Sequence, residues 1–249
     1  MSEENSKPQL NFLQRLVGVY FSPGETFTDL GRGAGIALPL ILLMVLTAGS
    51  ALVTSVKLPT EKLGNEQVER MVEEGKLTSE QAEKQREQMA RFTPYAKIVT
   101  PIMAAVFVLL LTLAIAGVAR LVTMMMGIES GFAPLWSVTV HTILAVSVIS
   151  VALFTIILYV KPIEEIDITN PLGSNLAAIL AMFGLSGMPK FVTILFSYVD
   201  IFYIWKLILL GIGYAAVSPR LKTSTAVSIC GLLGVLFAIV AAAWGVLTG

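Results

Sequence analysis

The stretch that decides the fold is residues 98–122, IVTPIMAAVFVLLLTLAIAGVARLV, in which Arg120 is the only charged side chain. A helix rises about 1.5 Å per residue, so this run is long enough to cross the roughly 30 Å hydrocarbon layer of a bilayer. Lipid offers no hydrogen-bond partner to the backbone, whereas a helix satisfies its own backbone groups. The stretch therefore predicts a transmembrane helix.

Four further runs have a similar length and apolar character, and none shows the alternation of a barrel strand. They cover residues 34–56, 134–160, 191–217 and 225–247. Hydrophobic residues make up 55% of the 249-residue chain and charged residues 14%, against about 25% charged in soluble domains. We expect an all-α integral membrane protein in which a five-helix transmembrane bundle forms a membrane domain over residues 34–249.

Residues 1–33, ahead of the first run, predict amphipathic helices that lie on the membrane surface. Apolar side chains recur there at helical spacing, interleaved with Gln14 and Arg15. Ser22 fits a helix N-cap, Pro23 the first helical position and Glu25 the acid of a capping box. One helix should therefore break at Ser22 and a short second helix should follow. A partner-binding helix is the alternative to a surface anchor, which would be formed by Phe12, Leu13, Leu16, Phe21, Pro23 and Phe27.

Residues 57–97 form a hydrophilic insert between the first two runs. Its eight glutamates are balanced by an equal number of lysine and arginine residues. Thr78 to Gln81 has the sequence of a capping box that opens a helix to about Arg91, and Asn65 suits the cap of an earlier helix that stops at Gly75. We expect a helical hairpin outside the bilayer, whose charges form either a solvated face or a docking surface.

Residues 176–188 contain an apolar stretch that is too short to cross a bilayer. The stretch ends at Gly184, Gly187 and Pro189, which favour turns. It predicts a re-entrant or interfacial helix. A sixth span is the alternative.

Ionisable side chains inside a span are the first candidates for a functional site, because their insertion into lipid is unfavourable. The fourth run contains Asp200 and Lys206, and Ser197 shares a helical face with Asp200. Tyr203 lies beside that face, and His141 in the third run is expected to be able to meet Asp200 in the bundle. These five side chains form a candidate intramembrane polar site, either as structural hydrogen bonds or as a path for an ion.

Several absences limit the chemistry. Cys230 is the only cysteine and His141 the only histidine, which leaves no cysteine or multi-histidine metal site. No phosphate loop, nucleophile elbow or dinucleotide fingerprint is present. We expect a protein that is not an enzyme and has no metal or cofactor.

The expected partners are the lipid bilayer and, as a second candidate class, membrane or cytoplasmic proteins. A net charge of zero gives no indication of nucleic-acid binding. Small residues in the last two runs favour close helix packing and permit a homo-oligomer, namely Gly211, Gly213, Gly231 and Gly234.

Three short motifs resemble the bacterial branch of the Yip family, the Ypt-interacting-protein membrane domain shared with animal YIPF proteins. They are Phe21–Phe27 (FSPGETF), Asp200–Leu207 (DIFYIWKL) and Gly211-Ile212-Gly213 ahead of a short basic turn. The resemblance implies a five-span protein of the inner membrane with a cytoplasmic N-terminus, which places the C-terminus outside. Eukaryotic relatives interact with small GTPases of the Rab type, but only about 33 residues precede the first run here. The resemblance therefore carries over the fold and a non-enzymatic membrane role.

Two functions are open at this point. The first is a membrane-organising or partner-binding role, which the surface helices and the hydrophilic insert favour. The second is a small transporter or channel for an ion or small solute, which the charged groups in the third and fourth runs favour.

Overall fold

The computed structural model describes residues 9–33, 35–58, 60–162, 166, 170–185 and 187–248, except for the side chains of residues 60–63. This part of the chain forms ten α-helices and no β-strand. The helices are α1 (Phe12–Phe21), α2 (Pro23–Arg32), α3 (Ala37–Lys57), α4 (Thr60–Glu73), α5 (Ser79–Met125), α6 (Phe132–Val160), α7 (Leu176–Met182), α8 (Lys190–Ser197), α9 (Ile201–Val217) and α10 (Thr223–Thr248).

Four of these helices, α3, α5, α6 and α10, are long and apolar enough to cross a membrane. Their most apolar windows have a mean hydropathy of 2.2 to 2.7, and no more than 28% of any such window is buried inside the protein. Apolar helices that leave most of their surface uncovered need lipid around them. The chain is therefore a multi-pass membrane protein.

Helix α5 is much longer than the sequence suggested. The capping box at its start is present, because the Thr78 hydroxyl accepts from the Gln81 N–H at 3.3 Å and the Gln81 side chain accepts from the Thr78 N–H at 2.9 Å. The predicted end near Arg91 is wrong, since the helix runs without a break for 47 residues. Pro94 removes one backbone donor but no capping residue follows it, so the helix continues into the span.

Helix α4 folds back along the first part of α5. Gly75, with φ of 70°, makes the turn between them, and Gly64 lies against Met89. Asn65 lies inside α4 and not at its start, so the prediction that it caps this helix is wrong.

The run 191–217 is not one helix but two, which corrects the prediction of a single continuous span. Helix α8 ends at Ser197 and α9 begins at Ile201. Asp200 has an extended backbone, with φ of −120° and ψ of 138°, and so interrupts the helix. The apolar composition of the run continues across this break, which is why hydropathy did not reveal it.

The two pieces α8 and α9 together lie antiparallel along the whole of α10. Three close approaches define this register, and they pair Ile194 with Gly245, Tyr203 with Gly234, and Gly211 with Val227. Residue numbers rise along α8 and α9 while those of their partners fall along α10, so the two segments are antiparallel. Of the four glycines predicted to favour close packing, Gly211 and Gly234 lie at this interface and let the neighbouring helix approach, whereas a Cβ at Gly231 would meet no atom within 4 Å.

Helices α1 and α2 form an antiparallel helical hairpin, hereafter the N-terminal hairpin. The Arg15 Nε donates to Asp29 Oδ2 at 2.8 Å, and Gly18 lies directly against the Thr26 side chain. The chain turns at Ser22, as predicted. The predicted capping box at Ser22 is absent, however, because its side chain makes no cap hydrogen bond.

The N-terminal hairpin is inserted into the bundle. On α9, Gly213 lies against Phe27 and Val217 against Gly31. Both helices advance by four residues between these contacts, so α2 runs parallel to α9. At the tip, the Tyr20 hydroxyl donates to the Ala145 carbonyl at 2.7 Å, near the middle of α6. This corrects the expectation that these helices lie flat on the membrane surface.

The anchor residues predicted for this segment divide into two groups. Leu13 and Phe21 are exposed, at 67% and 81%, and Val17 between them is 52% exposed. Phe27 is fully buried in the core, so it is not a surface anchor. Phe12 and Leu16 pack partly against the core, and Pro23 is half-buried. An amphipathic pattern identifies an apolar face but does not say whether lipid or another helix covers it.

The buried ion pair between Arg15 and Asp29 holds the two arms of the hairpin together. The side chains are 9% and 7% exposed, so water screens them little. Asp29 also accepts from the Leu10 N–H at 3.2 Å, which fixes the start of α1. A buried charge that loses its partner is strongly destabilising, which makes each side chain depend on the other.

We expect Asp29→Asn to lower the free energy of unfolding by about 3–5 kcal/mol, because it leaves the Arg15 charge buried without a counter-ion. Thermal unfolding of the purified protein in detergent measures this loss. The double change Arg15→Met with Asp29→Leu should recover a large part of it. Glu25→Gln, an exposed acid on α2, is the matched control. Equal melting temperatures for the Asn variant and this control would contradict the role given to the pair.

Candidate functional site

The candidate site is built around the break between α8 and α9, where Asp200 is the N-cap of α9. Its Oδ1 accepts from the backbone N–H groups of Phe202 and Tyr203, both at 2.9 Å. These N–H groups lack partners within the helix, so the carboxylate satisfies them and lies at the positive end of the helix dipole. The role of Asp200 is therefore first of all to begin a helix inside an apolar run.

A second helix begins at the same place. Asn175 caps α7, since its Oδ1 accepts from the Ala178 N–H at 3.0 Å, and its amide exchanges hydrogen bonds with the amide of Asn170. The Ser174 hydroxyl donates to the Asp200 carboxylate. The side chains of Asn170, Ser174, Asn175 and Asp200 are hereafter called the cap cluster.

Backbone hydrogen bonds complete the join. The Leu176 N–H donates to the Val199 carbonyl at 2.9 Å, and Asn175 pairs with Asp200 as an isolated antiparallel bridge. Irregular backbone near lipid is tolerated only where protein satisfies its polar groups. The segment 170–176 provides this for the break between α8 and α9.

Helix α7 covers residues 176–182, within the short apolar stretch identified in the sequence. It ends in a turn at Gly184, where φ is 81°. Met182 and Phe183 are 84% and 80% exposed at this end. The cap cluster thus joins a short helix with an exposed apolar end to the start of α9.

Tyr203 and Lys206 lie one turn apart on α9, next to the cap cluster. The Tyr203 hydroxyl donates to the Gly234 carbonyl on α10 at 3.1 Å. The Lys206 ammonium lies 4.7 Å from the centre of the Tyr203 ring and makes no ion pair with Asp200. A cation over an aromatic face is a stabilising arrangement.

Ser197 does not share a face with Asp200, which corrects the predicted polar stripe. Its hydroxyl donates to the Ile194 carbonyl of its own helix at 2.6 Å. The stripe assumed one continuous helix, and the break at residues 198–200 removes that geometry.

His141 is likewise separate from Asp200. Its Nδ1 lies 2.8 Å from the Ser137 carbonyl one turn earlier in α6, so the proton is on Nδ1 and donates there. The side chain is 1% exposed, and Nε2 has no partner among the described residues. The structure therefore brings Asp200, Tyr203 and Lys206 together, but not His141 or Ser197.

No group of three or more histidine, cysteine, aspartate or glutamate side chains is arranged to hold a metal ion in the described part of the chain. The sequence analysis missed the residues that complete the site, Asn170, Ser174 and Asn175. One signal for the cap was available, because an aspartate just before an apolar helical run is typical of an N-cap. Because the apolar run continues on both sides of Asp200, it was interpreted as one helix and the cap was not recognised.

We expect Asp200→Ala to lower the free energy of unfolding by about 0.5–2 kcal/mol, since it removes the cap of α9. Asp200→Asn keeps an oxygen at the cap and should lose much less. Unfolding in detergent measures both. If Asn proves as damaging as Ala, the negative charge matters more than the cap, and the structural role assigned to Asp200 fails.

The comparisons with known proteins agree with this architecture. A family model described as the Yip1 domain matches residues 17–245, from within α1 to within α10. No curated protein and no solved structure matches the chain. The match covers the second half of α1, α2, the cap cluster and the long helices as far as residue 245.

Proposed function

This chain belongs to the Yip1 domain family, and from that membership we propose that it is a non-enzymatic protein that organises the inner membrane and binds partners there. The observation that carries the proposal is the N-terminal hairpin. A buried ion pair joins its two arms, the hairpin packs against α9 and α6, and an apolar stripe of α1 stays exposed.

The proposed topology has five crossings, with α8 and α9 as one crossing in two pieces. Their support is the antiparallel register with α10, a 26-residue helix. At about 1.5 Å per residue, α8 and α9 together cover a length similar to that of α10. The cap cluster satisfies the backbone where the two pieces meet.

Contacts between loops support the same topology. On the side of the N-terminal hairpin, the Ser130 hydroxyl donates to Ser218 at 2.8 Å. On the other side, the Lys57 ammonium lies 4.2 Å from the centre of the Tyr159 ring. We propose that the hairpin side is cytoplasmic, so that the α4–α5 hairpin and the C-terminus are outside.

The hairpin acts on lipid through the stripe Leu13, Val17 and Phe21. These side chains lie at successive turns of α1, so the stripe runs from the membrane surface toward the tip beside Ala145. This stripe is hereafter called the wedge, because it occupies space in one leaflet only and displaces lipid there. The bundle fixes its depth, whereas a free amphipathic helix moves with the surface.

The α4–α5 hairpin offers the surface for protein partners. Its exposed charges are of both signs, as in Lys84 with Glu80 at 2.7 Å. Such a surface selects partners through charge complementarity. We do not propose transport, because both carboxylate oxygens of Asp200 are already hydrogen-bonded.

Replacing the three stripe residues with serine tests the wedge. Purified protein reconstituted into vesicles should give smaller vesicles than lipid alone, and the triple serine variant should return them toward the protein-free diameter. The measurement is the diameter distribution by electron cryomicroscopy. The matched control carries serine at three exposed positions of α10, Leu232, Val235 and Leu236. A wild type that leaves the diameter unchanged, or a control with the same effect, would refute the wedge.

Single cysteines in a Cys230→Ser background test the orientation. A membrane-impermeant thiol reagent added to intact cells should label Ser79→Cys, at the start of α5, and leave Lys222→Cys unlabelled until the membrane is opened. Both positions are exposed in the structure. The opposite pattern would mean that the hairpin side faces outward.

A further inference from the structure

A second site lies at the other end of α5, where the chain turns into α6. The segment 127–131 and the last turns of α5 line an open surface cavity of about 560 Å³. This volume is within the range of about 300–1,000 Å³ that small ligands occupy. Its charged lining consists of Arg120 and Glu129.

These two charges are opposite in sign and unpaired. Neither side chain forms an ion pair or a hydrogen bond with another described residue. Arg120 is half-buried and Glu129 exposed. Arg15 and Asp29, by contrast, form an ion pair at 2.8 Å.

In the proposed topology, the cavity lies where lipid meets water on the hairpin side of the protein. Ser130, which lines the cavity, donates a hydrogen bond from its hydroxyl to Ser218. Ser218 lies just ahead of the basic turn that contains Lys222. Next to the charges, Met124 lines the cavity and Met125 is 89% exposed at the end of α5. Flexible apolar side chains therefore border a polar cavity with one charge of each sign.

We infer that this cavity binds the headgroup of a phospholipid that has both a phosphate and a primary ammonium group. The Arg120 guanidinium donates to the phosphate oxygens, and the Glu129 carboxylate accepts from the ammonium. The acyl chains then continue past the methionines into the bilayer. This assignment rests on the membrane placement proposed above and adds a lipid class to it.

The charge pattern separates this ligand from related ones. An anionic headgroup without an ammonium would use Arg120 and be repelled by Glu129. A choline headgroup has no N–H to donate to Glu129.

Native mass spectrometry of the full chain in detergent tests the site. The protein is offered an equimolar mixture of dioleoyl phosphatidylethanolamine, phosphatidylglycerol and phosphatidylcholine. We expect the wild type to retain the ethanolamine lipid about tenfold over the other two, the scale set by a hydrogen bond between charged groups. Glu129→Gln should shift retention toward phosphatidylglycerol, and Arg120→Gln should reduce retention of all three.

Lys222→Gln is the control, because it removes a charge on the same face outside the cavity. Arg120→Lys is a second variant that keeps the charge without the planar fork, and it should give intermediate retention if Arg120→Gln fails to fold. Equal retention of the three lipids by the wild type, or an effect of Glu129→Gln no larger than that of the control, would overturn the inference. So would displacement of the lipid by millimolar inorganic phosphate, which would indicate a soluble ligand.

The outcome is independent of the wedge. Vesicle diameter reports on the stripe of α1, whereas lipid retention in detergent reports on the cavity. A protein that shapes vesicles but retains no preferred lipid would refute only the site.

Discussion

The ion pair between Arg15 and Asp29 is the contact on which the cytoplasmic half of the proposed topology depends. Neither charge is stable alone among apolar neighbours, so each holds the other arm of the N-terminal hairpin in place. Once the arms are joined, Phe27 can enter the core against Gly213 of α9. The hairpin thereby becomes part of the bundle, and its outer face is presented to lipid at a fixed height.

The same physical rule explains the other irregular feature. A helix break in an apolar run leaves backbone groups that lipid cannot satisfy, and the protein supplies the missing partners from a distant segment. Asp200 caps α9 while Asn175 caps α7, and Ser174 links the two. Hairpin and break are thus similar solutions, in which a polar cluster allows the chain to depart from a straight transmembrane helix.

The sequence was sufficient to predict the existence of the long spans, since length and hydropathy identify a crossing within each of α3, α5, α6 and α10, but not the full length of α5. It was insufficient where two environments give the same pattern. Phe27 has the spacing of a lipid anchor and is a core residue, because apolar faces look alike whether lipid or a helix covers them. The break at Asp200 was hidden for a related reason, because its cap partners lie some 25 positions earlier in the chain.

The length of α5 has a structural consequence. A single helix of 47 residues extends about 70 Å, more than twice the thickness of the hydrocarbon layer. It connects the surface packed against α4 at one end to Arg120 near the other, and Pro94 and Pro101 lie inside the helix between them. In the proposed topology, a partner bound beside α4 therefore contacts the same continuous helix that carries Arg120 on the opposite side of the membrane.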